Sequence, residues 1–261
     1  YYRRQSRPEF RSLVSQVPVY TIWDDHDFGT NDCQGGPLVE EPYWKVPVWN
    51  VFKNNWVNPM YGNGGIQPGC WYDYYVGNVH FIMLDGRTYR DLRPTDESLP
   101  TMLGPLQMTW LKRTIKESRG VFTVLVSPVP WVFGAKGDSK DTWNGFKQER
   151  NEIFDVVKQA GKSGVLLMSA DRHRSDLWKI QRDGMYPLYE FNSSRLTNQH
   201  VHPEMAGAEF SYNKKQSFGI VDFDTTISDP TVEYRIINID GKQIHSREIA
   251  KSEMTYDKKE K

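Results

Sequence analysis

The sequence predicts an α/β fold with layers of helix and sheet packed around a common core. Two observations carry that prediction. From about residue 71 to residue 168, short apolar strands alternate with amphipathic helices, and from Leu177 onward short strands follow one another with turns between them. A third observation bounds the answer: 261 residues with 9 Trp, 14 Tyr and 12 Phe supply enough apolar surface for a sizeable core, which argues against disorder. No composition break marks a domain boundary and no internal repeat is visible.

Arg3 to Ser15, polar with scattered apolar positions, reads as a surface helix. Val17 to Trp23 (VPVYTIW) is β-branched and aromatic, and reads as a buried strand feeding Asp24-Asp25-His26-Asp27. After a turn-rich stretch from Gly29 to Pro37, Tyr43 to Trp56 places Trp44, Val48, Phe52 and Trp56 at near-helical spacing, interrupted by Pro47. Trp71–Val76 and Val79–Leu84 flank Gly77-Asn78, a hairpin signal. Gly104 to Glu117 is a helix with Pro105 in its first turn and Leu106, Trp110, Leu111 and Ile115 on its apolar face. Val121–Val126 is an apolar strand, Glu149–Ala160 a helix stopped by Gly161, and Val165–Met168 a strand running into Asp171-Arg172-His173. Leu177–Ile180, Leu188–Phe191, Gly219–Phe223, Val232–Ile239 and Gln243–Ile249 are short strands. Residues 1–250 read as the folded domain and Lys251–Lys261 as a charged, frayed tail.

Lys+Arg 33 balances Asp+Glu 33, and no basic stripe is present to bind duplex nucleic acid. No apolar run is long enough to span a membrane, and mean hydropathy is −0.67. No leader opens the chain, as expected of a processed or internal segment as well. Cys33 and Cys70 lie in loop sequence and read equally as one disulfide or two thiols.

Chemistry concentrates where two apolar strands end: Asp24-Asp25-His26-Asp27, with Asn31-Asp32 after it, and Asp171-x-His173. Taken singly, each cluster reads as caps and turn residues. The pair, each directly following a strand, reads as a metal site, because carboxylates crowded together repel unless a cation intervenes. Extended geometry would put Asp25 and Asp27 on one face, and Asp171 and His173 on another shared face. Carboxylates with one imidazole suit hard or borderline ions.

These motifs resemble the PhoD-like alkaline phosphatases, a branch of the calcineurin-like metallophosphoesterases. The resemblance runs through Trp23-Asp24-Asp25-His26-Asp27-Phe28-Gly29-x-Asn31-Asp32, Leu84-Asp85-x-Arg87, Leu103-Gly104-x-x-x-Gln107-x-x-Trp110-Leu111, Asp141-x-Trp143-x-Gly145-Phe146-x-x-Glu149-Arg150 and Asp171-Arg172-His173. It implies a four-layer αββα sandwich of two mixed sheets flanked by helices, and metal-dependent hydrolysis of phosphate monoesters or diesters. It implies Asp25, Asp171 and His173 as metal ligands, iron and calcium as the ions, and His26 as the phosphate-facing group. Asn31, Arg87, Arg172 and Trp143 become candidate substrate contacts. For Arg87 and Arg172 the alternative is pairing with structural carboxylates, and for Trp143 and Arg150 the docking of a loop. An extracytoplasmic location is implied as well.

The pattern also departs from the family. The opening Gly-Asp-x-x-Tyr element has no counterpart before Val17, Gly137-Asp138 lacks the tyrosine, and Ser127 stands where the superfamily has a histidine. The expectation is that the N-terminal strands of the first sheet, with the metal-bridging aspartate, lie outside this sequence. A separate N-terminal segment then completes the site as a partner, or the chain is a non-catalytic scaffold presenting the aromatic stretch Tyr43 to Tyr75 to glycan or protein. Asp85 is the first place to look for a substitute bridge.

Overall fold

The computed structural model describes residues 1–92 and 99–256. Two short helices, α1 (Tyr2–Gln5) and α2 (Pro8–Val14), open it in place of one helix, with the break at Arg7 and Pro8 at the first position of α2. Val17 to Trp23 is irregular and not the expected strand. The reason is local. The Asn58 side chain takes both backbone groups of Thr21, accepting from its N–H at 3.0 Å and donating to its C=O at 2.8 Å, where a ladder partner would otherwise stand. Tyr72 adds a hydroxyl bond to the same carbonyl, and Tyr20 stacks on Tyr74. The stretch therefore lies against its neighbour through side chains.

Asp25–Phe28 forms a single helical turn, α3, and Lys45–Asn55 the helix α4. A helical Asp25-His26 pair points in directions about 100° apart, so the face assignment made for an extended chain does not hold. Trp23, Phe28, Trp49, Phe52 and Cys70 pack into a small buried aromatic core, flanked by Trp44 and Trp56. The aromatic stretch is thus largely consumed by packing, with Tyr43 and Tyr75 left exposed.

The strands β1 (Tyr72–Val76) and β2 (Val79–Met83) form the expected hairpin, with Gly77 at φ +54°. Then come α5 (Gly104–Glu117), β3 (Phe122–Val126), β4 (Ala135–Asp138), α6 (Lys147–Gln159), β5 (Val165–Ser169), β6 (Ser175–Ile180), β7 (Leu188–Asn192), β8 (Phe210–Tyr212), β9 (Ser217–Asp224), β10 (Thr231–Asn238) and β11 (Gln243–Ala250). A seven-stranded sheet has the order β1-β2-β3-β5-β7-β6-β8, and a three-stranded antiparallel sheet the order β11-β10-β9. Strands β2, β3, β5 and β7 run parallel, and β1, β6 and β8 make the first sheet mixed.

Alternation along the strands sets the layers. Phe81 and Phe122 face Phe223 of the second sheet, and Phe191 stacks on Tyr234. Their neighbours His80 and Thr123 point the other way, to Ser118 at the end of α5. Helices α5 and α6, the large sheet and the small sheet thus build three of the layers that the resemblance implied. Lys251–Met254 is a 3-10 turn with Met254 fully buried, so the frayed reading of the tail does not hold for these residues. Residues 257–261 of the expected tail lie outside the described residues. Cys33 and Cys70 are free thiols.

Candidate active site at the carboxyl ends of the parallel strands

The four parallel strands deliver their chains to one edge of the sheet, the place where ligands favour α/β folds. Leu84-Asp85-Gly86-Arg87 leaves β2, Ser127 leaves β3, Ala170 to His173 leaves β5, and Ser193 to Arg195 leaves β7. Four non-glycine residues have positive φ among the described residues: Asp32, Asp171, His173 and Arg195, at φ 55, 68, 50 and 76°. All four lie in loops at this edge or beside it. Left-handed backbone is uncommon for non-glycine residues, although Asp and His adopt it more readily than most, and its concentration here shows that the chain turns sharply at this edge. Asp171 and His173 accordingly sit in a tight turn, not in an extended segment.

Around that turn the acidic clusters meet. Asp25, buried on α3, accepts the backbone N–H of His26 at 2.7 Å and of Asp32 at 2.9 Å. Carboxylate oxygens of Asp25, Asp32 and Asp141 lie within 4.8 Å of one another. The Lys136 ammonium, carried by β4, reaches Asp32 at 2.9 Å, Asp141 at 2.8 Å and Asp171 at 3.9 Å. The two sequence clusters are therefore joined across one cation, although about 140 positions separate them in the chain. Burial would raise the pKa of Asp141, but Arg87, Arg90 and the hydrogen bond from Lys136 hold it well below the usual carboxylate range. For Asp24 burial wins: despite Arg87, and with Asp171 and Asp25 adding repulsion, its pKa is pushed up to about 7.

Other expected residues fall elsewhere. Arg87 has a fully buried side chain that pairs with Asp24 at 2.6 Å and Asp141 at 2.6 Å, so it follows the structural-carboxylate alternative. Arg172 is buried too, donating to Asp171 at 3.3 Å and to the Ala135 carbonyl at 3.2 Å. Trp143 is fully buried, stacked on Trp131 and donating to Ser127 Oγ at 3.0 Å, which leaves it no surface for substrate. Arg150 likewise docks the loop, donating to the Trp131 carbonyl at 2.8 Å. Asn31 is exposed in the turn after α3. His26 is exposed and lines a cleft of ≈ 430 Å³ with Tyr1, Arg4, Gln5, Phe10, Asp27 and Trp56. Asp85 is no substitute bridge. Its two oxygens accept from Arg87 N, Thr88 N, Thr88 Oγ1 and Cys70 N, a set that uses them fully in shaping the β2 turn.

His173 sits apart from the carboxylates in its company. Its ring gathers with His200 and His202, with donor nitrogens within 4.8 Å of one another. Burial first, and Arg172 and the neighbouring imidazoles after it, lower the pKa of His202 to about 4. Sequence reasoning missed His200, His202, Lys136 and the role of Asp141. His200-Val201-His202 was a readable His-x-His signal, whereas Lys136 in Ala135-Lys136-Gly137-Asp138 carries none. The donor chemistry fits hard cations at the carboxylates, and the His173 Nδ1, buried without a hydrogen-bond partner, fits a metal-ligating imidazole.

The model of the PhoD-like phosphatase family matches residues 1–234. Alkaline phosphatase D of Bacillus subtilis (strain 168) is 30% identical over 198 residues, covering 66% of this chain and 33% of that protein. A solved structure of PhoD superposes with a TM-score of 0.61 at 17% identity, covering 87% of this chain and 54% of the other. This chain thus spans about a third to a half of the length of these relatives.

Proposed function

The chain belongs to the PhoD-like phosphatase family, and from that premise we propose that the protein containing it hydrolyses phosphate esters at the edge where Asp25, Asp32, Asp141 and Asp171 meet. One observation carries the reading: two acidic loops, remote in sequence, converge on a shared cation at the carboxyl ends of the parallel strands. Asp25, Asp171 and His173 are the ligands proposed for divalent or trivalent ions, iron and calcium by family, with Asp32 and Asp141 beside them. When bound, such ions supply positive charge for a developing phosphoryl transition state and a water of lowered pKa.

The chain's own groups then have assignable work. Lys136, partly exposed among the carboxylates, neutralises them and offers an ammonium to phosphate oxygens at the rim. Arg87 and Arg172 act as positioning residues through the carboxylates they hold. His26, exposed one residue beyond buried Asp25 and lining the cleft with Tyr1 and Trp56, is the proposed acid that meets the leaving oxygen on the strength of the family resemblance alone. Residues 1–250 are proposed as one phosphatase domain, in an extracytoplasmic location. Among the described residues no helix is long and apolar enough to cross a membrane.

The test is hydrolysis of p-nitrophenyl phosphate and bis-p-nitrophenyl phosphate, with metal content measured in parallel. Chelation and Asp25→Asn should each abolish turnover. His26→Ala should keep its metal and lose ~10²–10⁴-fold in rate. Turnover that survives chelation, or a His26→Ala protein that loses metal and keeps its rate per metal, would overturn these assignments.

A further inference from the structure

Three of the chain's six histidines come together on one side of the carboxylate cluster, and their arrangement differs from it in chemistry. His173 follows β5, while His200 and His202 belong to the long connection between β7 and β8. Ring centroids of His173 lie 5.4 Å from His200 and 5.4 Å from His202, and those of His200 and His202 lie 4.7 Å apart. His200 meets both other rings edge to face at 87°, which leaves ring nitrogens of all three within 4.8 Å of one another.

The backbone holds the three in place. The N–H of His173, at positive φ, donates to Ser194 Oγ at 3.2 Å. Asn198 lies 3.4 Å from His173 Nε2 and accepts the N–H of His200 at 2.9 Å, so one side chain ties the turn to the loop. The His202 carbonyl accepts from Asn213 Nδ2 at 2.9 Å, which anchors the loop beyond it. His173 Nδ1 is meanwhile a buried polar atom with no hydrogen-bond partner, an unfavourable state unless something else takes its lone pair.

We propose that His173, His200 and His202 form a three-imidazole centre for a zinc-class divalent transition ion, with a fourth position open to solvent beside exposed His200. Three imidazoles and one open position are the donor set of water-activating zinc, whereas all-carboxylate groups select calcium or magnesium. Donor nitrogens around a tetrahedral ion at ~2.0–2.1 Å stand about 3.3 Å apart, so the rings close inward modestly from their present spacing. The guanidiniums of Arg172 and Arg174 do not bar a cation. They are held by Asp171 at 3.3 Å and Asp176 at 2.8 Å, which offset their charge. The one unpartnered nitrogen of His173 can serve only one ion at a time, so this centre competes with the proposed phosphoesterase site for that ring, and it goes beyond that site because its evidence is imidazole geometry.

The experiment uses metal alone, with no substrate. The chelator-treated protein is titrated with Zn²⁺ against a chromophoric competitor, and with Co²⁺ followed by visible absorption. Wild type should bind one Zn²⁺ more tightly than His200→Gln/His202→Gln by at least ~100-fold, since even outer-shell partners contribute 10–100-fold. Asp25→Asn, altered only in the carboxylate group, should retain that site. Co²⁺ should give the intense bands of a low-coordinate nitrogen site in wild type, a reading that needs no variant. Equal Zn²⁺ affinity in wild type and the double variant, or a weak octahedral Co²⁺ spectrum, would overturn the centre. Neither result depends on whether phosphate esters are hydrolysed.

Discussion

Arg87→Met separates two roles that a buried arginine beside the proposed phosphatase site can have. The guanidinium has no exposed surface, and it bonds Asp24 through Nε at 2.7 Å and Asp141 through Nη1 at 2.6 Å. Methionine keeps much of the volume and removes the charge. Deleting one partner of a buried ion pair costs ~3–5 kcal/mol, since the other charge stays buried and unpaired. Here Asp141 keeps Arg90 and Lys136, so the lower end applies, about 3 kcal/mol. With an m-value of about 3 kcal/mol/M, the urea midpoint should fall by about 1 M. The melting temperature should drop by roughly 6–12 °C. The assay is urea unfolding followed by tryptophan fluorescence, with inhibition by inorganic phosphate measured on the folded protein. A variant whose midpoint is unmoved while its phosphate inhibition weakens tenfold would refute the reasoning and place Arg87 on the substrate.

Three further outcomes follow from packing and burial. Trp143→Ala empties a site stacked 4.6 Å from Trp131 and should cost ~3–5 kcal/mol in unfolding free energy, with unchanged activity per folded molecule. Gly35→Ala would bring a Cβ to 2.1 Å from the Thr88 carbonyl oxygen, so backbone must shift, and a loss of ~1–3 kcal/mol is expected from denaturation curves. Burial pushes the pKa of Glu190 up to about 7, against the hydrogen bonds from Ser169, Trp131 and Val132 that favour its charged form. A folded pKa above the unfolded one means that the native state holds the proton more tightly. The stabilisation is therefore full below about pH 4.5 and lost as pH rises through about 7. Melting temperature against pH should fall across that window in wild type, and the slope should flatten in Glu190→Gln.

The elements that were legible are those whose own side chains decide them. The apolar faces of α5 and α6, and the apolar runs of β3 and β5, needed no knowledge of distant partners. Val17 to Trp23 failed because the competitor, Asn58, lies 37 positions from Thr21 and acts through its side chain. Strand β4, Ala-Lys-Gly-Asp, has no strand propensity and exists through its surroundings. At the site, the ending of β5 exposed Asp171 and His173, whereas Asp25 was found as part of an acidic cluster after a segment that is not a strand. Lys136 was invisible because its meaning is entirely spatial: one ammonium gathers carboxylates from three separate loops. Arg87 and Trp143 were read toward substrate by motif, and only burial shows where their side chains go.

The carboxylate cluster straddles two hydrophobic nuclei. Asp25 rides on the turn rooted in the small aromatic core of Trp23, Phe28, Trp49 and Phe52, whereas Asp141 and Asp171 are rooted in the large core of the sheet. Free energies of opening are not uniform across a protein, and a nucleus with fewer buried side chains opens first. Subglobal unfolding of the aromatic lobe would carry Asp25 and Asp32 away while the seven-stranded sheet stayed intact. Heat inactivation would then precede loss of the main structure, and limited proteolysis between α3 and α4 would silence the site before it dismantled the fold. The proposed site thus spans the seam between a large nucleus and a small one.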